Sequence, residues 1–283
     1  MDMDKATVSR WWAPLVAGYR EAAKFMRNQG VLAERILPYS TLIIPLAAIL
    51  ADLLQRKGEV AMKAATPKIE RWYWCSVFSQ RYSGQTETAS AKDVVQVLDW
   101  VDGAEPPDVV RTFNFRSDYL QEIVSIRNAI YKGMLCLLTR SHAQDFGGGG
   151  LLSTDLFFDT RQDHHHIFPT YAMGKLGIKD PRAETIVNKT LISAAVNRSI
   201  GGSLPSDYVQ NWRKKLGGGT RFDDILLSHQ IDVQLLSADC WEDFVLERRE
   251  KLRSLIADVC GGNVLPFSDG EQLDIEGPED AEE

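Results

Sequence analysis

The sequence predicts a mainly α protein in which a small α+β module is set into a helical scaffold. Three observations carry this reading. Apolar residues recur at helical spacing through most of the first half of the chain. Four glycines in a row, Gly147–Gly150, then break the pattern, and short β-prone stretches follow. Helical periodicity returns after Pro205. These breaks divide the chain into a helical scaffold (residues 1–146), a module (147–216), a C-terminal helical region (217–265) and an acidic tail (266–283).

In the first helix Val8, Trp11, Trp12, Leu15, Val16 and Tyr19 lie on helical spacing, and Gly30 is a stop. Pro38 and Pro45 divide the next apolar stretch into a turn and a helix reaching about Gln55. Residues 36–51 hold 16 uncharged residues, short of the roughly 20 that a bilayer span requires. They read as a buried helix, so no membrane is expected as a partner. Pro67 opens a helix closing at Gly84. Its Trp72, Tyr73, Trp74, Phe78 and Tyr82 read as core, not as a stacking platform for bases. Ser90 and Ser117 are candidate N-caps, the second for one long helix striped by Leu120, Ile123, Ile126, Ile130, Met134 and Leu137.

Past the glycines, "LLSTDLFFDT" (151–160) is β-like, "AETIVNKTLIS" (183–193) reads as a strand, and "AAVNRSIGG" as a short helix stopped by Gly201 and Gly202. Amphipathic helices then begin behind Pro205 and near Cys240.

Composition narrows the class. With 44% hydrophobic and 25% charged residues the chain is globular. Residues 269–283 carry eight acidic side chains and no Lys or Arg, so the tail accounts for most of the low pI near 5.4. The body is nearly neutral, which leaves a polyanionic ligand open. The four cysteines have no CxxC spacing and there is no signal-peptide pattern, so a reducing, cytoplasmic setting is expected.

Three of the five histidines, His164, His165 and His166, stand side by side before Ile167, Phe168 and Pro169. Asn188 follows in the second β-like stretch, and Asn197 nine residues later in the short helix. The strings "HHIFP", "NKTLIS" and "VNRSIGG", in this order, resemble an HNH nuclease of the His-Me finger, ββα-metal group. More narrowly, the chain is similar to the C-terminal half of the GmrSD-like ParB/HNH two-domain restriction proteins of anti-phage defence. The flanking "ILPYSTLIIPLAAIL", "RWYWCSVFSQRYSG" and "PSDYVQNW" share that similarity, which covers all but the acidic tail.

The resemblance implies a DNA endonuclease with a ββα-metal fold. It implies His166 as general base, Asn188 as the residue that holds the base through backbone contacts, and His165 and Asn197 as ligands of a divalent metal. Mg²⁺ is the implied ion, although Mn²⁺, Ni²⁺ and Zn²⁺ accept imidazole more readily. The residue types suit the chemistry, because a phosphodiester needs a base near neutral pKa and a cation to offset developing charge. His164 has no matched role, and His142 and His229 fall outside the set. Adjacent strand residues point to opposite faces, so His165 and His166 are expected to share a site only where the backbone is irregular.

Two departures from the pattern matter. Ile200 stands where many HNH modules carry Lys, which leaves phosphate contact to Lys189, Arg198, Arg213, Lys214 and Lys215. Residues 151–215 carry nine basic and six acidic residues, a modest excess of the right sign. The Asp-Gly-Gln-Gln-Arg motif of a ParB-like domain is missing, so the chain reads as a split subunit whose partner besides DNA is a separate ParB-like NTP-binding subunit, as a truncated gene product, or as a freestanding nuclease. Two other readings stay open: a silent nucleic-acid-binding subunit, and an interaction protein whose histidines staple a loop through metal.

Overall fold

The computed structural model describes residues 4–84, 86–148, 150–152 and 162–268. It is mainly helical with two small two-stranded sheets. None of the described helices is long and apolar enough to cross a membrane. The chain forms two compact units. The first comprises Met1–Gln29, Leu37–Phe115 and Ile256–Val264, and the second Gly30–Ile36, Arg116–Leu255 and Leu265–Glu283. Residues 30–36 and 116–146, placed by the sequence in the scaffold, thus belong to the same unit as residues 147–216.

The first unit is built on α1 (Lys5–Asn28), capped by Asp4, whose carboxylate accepts from Thr7 N at 2.6 Å, and α2 (Ile43–Ala64). The two lie so close that a Cβ at Gly18 would strike the Ala47 carbonyl. The helix expected to end near Gln55 bends instead at Gly58, whose φ of 78° is left-handed, and continues to Ala64. α3 (Thr66–Phe78) brings Trp72, Tyr73, Trp74 and Phe78 into the core, as its spacing predicts. α4 (Thr86–Val101) starts before Ser90, which lies inside the helix and is not its cap. Its Asp93 is fully buried and accepts from Trp72 Nε1 (3.0 Å), Tyr82 Oη (2.9 Å) and Arg81 Nε (2.8 Å). After α5 (Asp108–Arg111), β1 (Asn114–Phe115) pairs in parallel with β4 (Asn263–Val264).

In the second unit the long helix expected from Ser117 does not form. A 3-10 turn, Ser117–Gln121, is followed by irregular chain, and α6 (Ala129–Arg140) starts only behind Asn128, whose side chain caps Ile130 N at 2.8 Å. Polar side chains of the broken segment are engaged elsewhere. Asp118 accepts from Ser268 N and Oγ (3.0 and 2.8 Å), and Arg116 donates to Glu122 (2.7 Å). The contact also shows that residues 266–268 do not share the character expected of a solvated tail, since Phe267 is buried beneath Arg249.

Further along come β2 (Gln162–His166), α7 (Thr170–Lys175), β3 (Lys189–Ser193) and α8 (Ala194–Ile200). β2 and β3 are antiparallel, with His165 opposite Thr190 and His166 opposite Lys189. α9 (Pro205–Lys215), α10 (Arg221–Ser228), α11 (Val233–Ser237) and α12 (Trp241–Cys260) complete the chain. Phe168 anchors the turn after β2 against Trp241 and Phe244, at ring separations of 5.3 and 4.9 Å. The β-like stretch 151–160 lies outside the described residues except for Leu151, bridged to Gln144, and Leu152.

Candidate functional site

β2 is regular through His166, so its side chains alternate as a pleated strand requires. His165 turns inward and is buried, its ring edge-on to Phe146 and Tyr208 at 6.0 and 6.1 Å. His164 and His166 are partly exposed. All three nevertheless line one cleft of about 210 Å³ together with Asn197, Tyr171 and Gly202. The irregular backbone expected at this point is therefore absent. The chain turns at Pro169 into α7, and the cleft reaches residues of both strand faces.

Each side chain of the set has a defined environment. His165 Nδ1 and Asn197 Oδ1 are 2.8 Å apart. His166 Nε2 lies 2.9 Å from Glu184 Oε2, and His164 Nδ1 3.0 Å from Tyr131 Oη. Asn188 is fully buried. Its Oδ1 accepts from Phe168 N (2.8 Å), and its Nδ2 donates to the carbonyls of Phe168 (3.0 Å) and Ala183 (2.9 Å). Three bonds from one amide lock the turn that follows the histidines.

β3 is fixed from behind. Arg248 is fully buried on α12 and donates through Nε to Val187 O (2.8 Å) and through Nη2 to Lys189 O (3.2 Å), so it grips the backbone on both sides of Asn188. Its third bond goes to the carbonyl of His229. Burial pushes the guanidinium down to about 9. His229 is buried too, and burial pushes it down to about 4. Its neutral ring donates from Nε2 to Gln144 O (2.7 Å), and Nδ1 then accepts from Thr190 Oγ1 (2.6 Å). Thr190 faces His165 across the sheet, so this network backs the inward histidine. At the start of α8, Asp145 accepts from Ser193 N and Oγ (2.7 and 3.0 Å), which sets the helix that carries Asn197.

The five basic residues chosen from the sequence divide. Arg198, Lys214 and Lys215 are exposed, with Lys215 over the Trp212 ring and bonded to Ser199 Oγ at 3.0 Å. Arg213 is paired with Asp223 at 2.7 Å. Lys189 is buried, its ammonium 3.1 Å from Glu184, and is not a surface contact for phosphate. Sequence reasoning missed Glu184, Tyr131 and Arg248. Tyr131 and Arg248 come from distant segments. Glu184, although only four residues before Asn188, sits in a 3-10 turn where a strand was expected, so its facing of His166 gave no signal along the chain.

Whether the implied metal suits these residues can be tested on the donor set. Among the described residues no group of three or more His, Cys, Asp and Glu side chains is arranged to hold an ion. The predicted ligand pair offers one imidazole nitrogen, of His165, and one amide oxygen, of Asn197. As the residues stand, His165 Nδ1 donates to Asn197 Oδ1 at 2.8 Å, so the pair would hold a cation only after this hydrogen bond is given up and the ring proton moves to Nε2. A cation held by this pair alone would keep most of its waters, as hard divalent cations do.

No protein-family model matches the chain. A segment of 148 residues, half of the chain, is 32% identical to part of an uncharacterized protein of Methanocaldococcus jannaschii. The match spans a quarter of that protein's length.

Proposed function

We propose that this chain is a metal-dependent DNA endonuclease of the HNH type, with residues 147–216 as its ββα-metal module. The observation that supports it best is the meeting of three elements at one cleft. The end of β2 supplies His165 and His166, the middle of α8 supplies Asn197, and Asn188 locks the turn that follows β2. In this reading His166 takes a proton from water, and the resulting hydroxide attacks the phosphorus. The P–O bond on the far side breaks, and the departing oxygen is protonated from solvent. Exposed Arg198, Lys214 and Lys215 bind the phosphate backbone. His165 and Asn197 hold a divalent metal, Mg²⁺ or Mn²⁺, which when bound offsets charge on the phosphate and the departing oxygen. Buried Asn188 and Arg248 keep the loop and strand from drifting, since small misplacement of reacting groups is costly.

The setting implied by the resemblance is anti-phage restriction, with a ParB-like subunit as partner. A second reading is favoured by the small donor set: a subunit that binds DNA and leaves cutting to a partner. Incubating supercoiled plasmid with the purified chain and Mg²⁺ or Mn²⁺ separates the two. Nicking that is abolished by a chelator supports the nuclease. Retention of DNA in a gel shift, weakening steeply with salt and without any nicking, supports the binding subunit.

A further inference from the structure

The group that faces His166 from outside the predicted motif is Glu184. It closes the 3-10 turn Pro181–Glu184, which is fixed at three points. Asp180 Oδ1 accepts from Arg182 N (2.8 Å), Thr185 Oγ1 donates to Arg182 O (2.8 Å), and Asn188 Nδ2 donates to Ala183 O (2.9 Å). The carboxylate held there lies 2.9 Å from His166 Nε2 and accepts from Lys189 Nζ at 3.1 Å. His166 and Lys189 are direct partners in the β2–β3 register, so Glu184 spans a cross-strand pair. Asn188, directly before Lys189, fastens both the Glu184 turn and the backbone beyond His166. The carboxylate and the imidazole are thus tied to one another through the same amide.

A half-exposed carboxylate beside a lysine is ordinarily a surface ion pair of little energetic weight. Two features distinguish this one. Its lysine is buried and held by the register of the sheet, which keeps a cation in a fixed place against the carboxylate. Burial alone would raise Glu184, yet His166 and Lys189 outweigh it and hold the group below the usual carboxylate range. An ionised carboxylate can only accept hydrogen bonds. The ring nitrogen facing it must then carry the proton.

We propose that Glu184 is a positioning residue that fixes His166 in the tautomer protonated at Nε2 and so leaves the lone pair on Nδ1. A base with its lone pair on the wrong nitrogen loses most of its rate even when its place is unchanged. The consequence for cutting rests on the nuclease reading, whereas the tautomer does not.

The test uses the full chain and two variants, Glu184→Ala and Glu184→Gln. Nitrogen-15 NMR of labelled histidine, at a pH where the ring is neutral, reads the tautomer without any catalysis. The parent should show His166 protonated at Nε2. Glu184→Ala should shift it toward a mixture, and Glu184→Gln, which keeps an acceptor oxygen, should restore the parent pattern at least in part. In plasmid nicking with Mn²⁺, Glu184→Ala should lower kcat about 10- to 100-fold. KM for DNA and the metal affinity measured by titration should stay unchanged. Identical ring-nitrogen shifts in the parent and Glu184→Ala would overturn the inference, as would an unchanged kcat in a chain that cuts. If the parent itself cuts nothing, the nuclease reading fails alone, and the nitrogen shifts still decide the role of Glu184.

Discussion

Both units bury polar hubs, and the hubs differ in what they face. In the first, Asp93 sits among aromatic rings and accepts from Trp72, Arg81 and Tyr82, all of which are core or core-edge groups. In the second, Asn188, Arg248 and His229 are equally buried, but their bonds end on β3, on the residue that pairs with His165 and on the turn directly after His166, next to the residues that line a cleft. A hub enclosed by hydrophobic neighbours fixes a packing arrangement. One that lies behind a cleft holds the strand and turn that carry groups meeting solvent, and such preorganisation is what chemistry on a bound substrate requires. The contrast predicts that substitutions in the first unit show in stability, and those at the cleft in rate or binding.

The largest effect expected is on rate. His166→Ala should lower plasmid nicking by about 10²–10⁴-fold, with DNA retained in gel shifts and the melting temperature close to the parent's. Parent-like cutting by this variant would end the assignment of the base, and cutting lost only with His164→Ala would shift the register by two residues.

Asp93→Ala should act on stability alone. Removing a buried carboxylate leaves Arg81, Trp72 and Tyr82 without their shared acceptor, at a cost of about 3–5 kcal/mol in denaturant unfolding. A loss under 1 kcal/mol would mean that this hub is replaceable and the contrast is overdrawn.

His229 gives the second unit a pH signature. Its folded pKa near 4 lies below the ordinary 6.5, so the proton binds the unfolded chain more tightly. Stability is then fully present above pH 6.5 and is lost as pH falls toward 4, by up to roughly 3 kcal/mol. His229→Gln should flatten that part of the profile. An unchanged profile would show that the ring charges without penalty.

The smallest effect is expected at Asn197. Asn197→Ala should weaken Mn²⁺ binding about 10- to 100-fold in titration calorimetry, by analogy with losses around known metal sites. Activity should then partly return at high metal. Earlier melting with no rescue would make Asn197 a structural residue and place the cleft in the same class as the first unit's hub.

α1, α3 and α12 were legible as helices because their apolar residues recur at helical spacing. The stripe named for α1 is nevertheless not its buried face: Val8, Trp12, Leu15 and Tyr19 are exposed, and Ala22, Phe25 and Met26 are buried. The break at residues 122–128 was not legible, since it depends on Asp118 meeting Ser268, 150 positions away. At the site, His165, His166, Asn188 and Asn197 were visible as types in order along the chain. Glu184 was invisible because the turn that presents it takes its shape from hydrogen bonds to Asn188 and Asp180. Lys189 was misjudged because a basic residue in a strand reads as surface until the register and its burial are known.

Arg248 has a consequence for how the protein is made. It is 61 positions downstream of Val187 and 59 of Lys189, and it clamps the carbonyl of each. A growing chain on the ribosome can pair β2 with β3 well before α12 emerges, but β3 cannot be gripped beside Asn188 until residue 248 is free to dock. The cleft therefore reaches its final geometry only after residue 248 has been made and docked. Fragments ending short of α12 carry every histidine of the cluster without the clamp that holds the opposing strand, so a cell accumulating them would hold the residues of the site without its finished form.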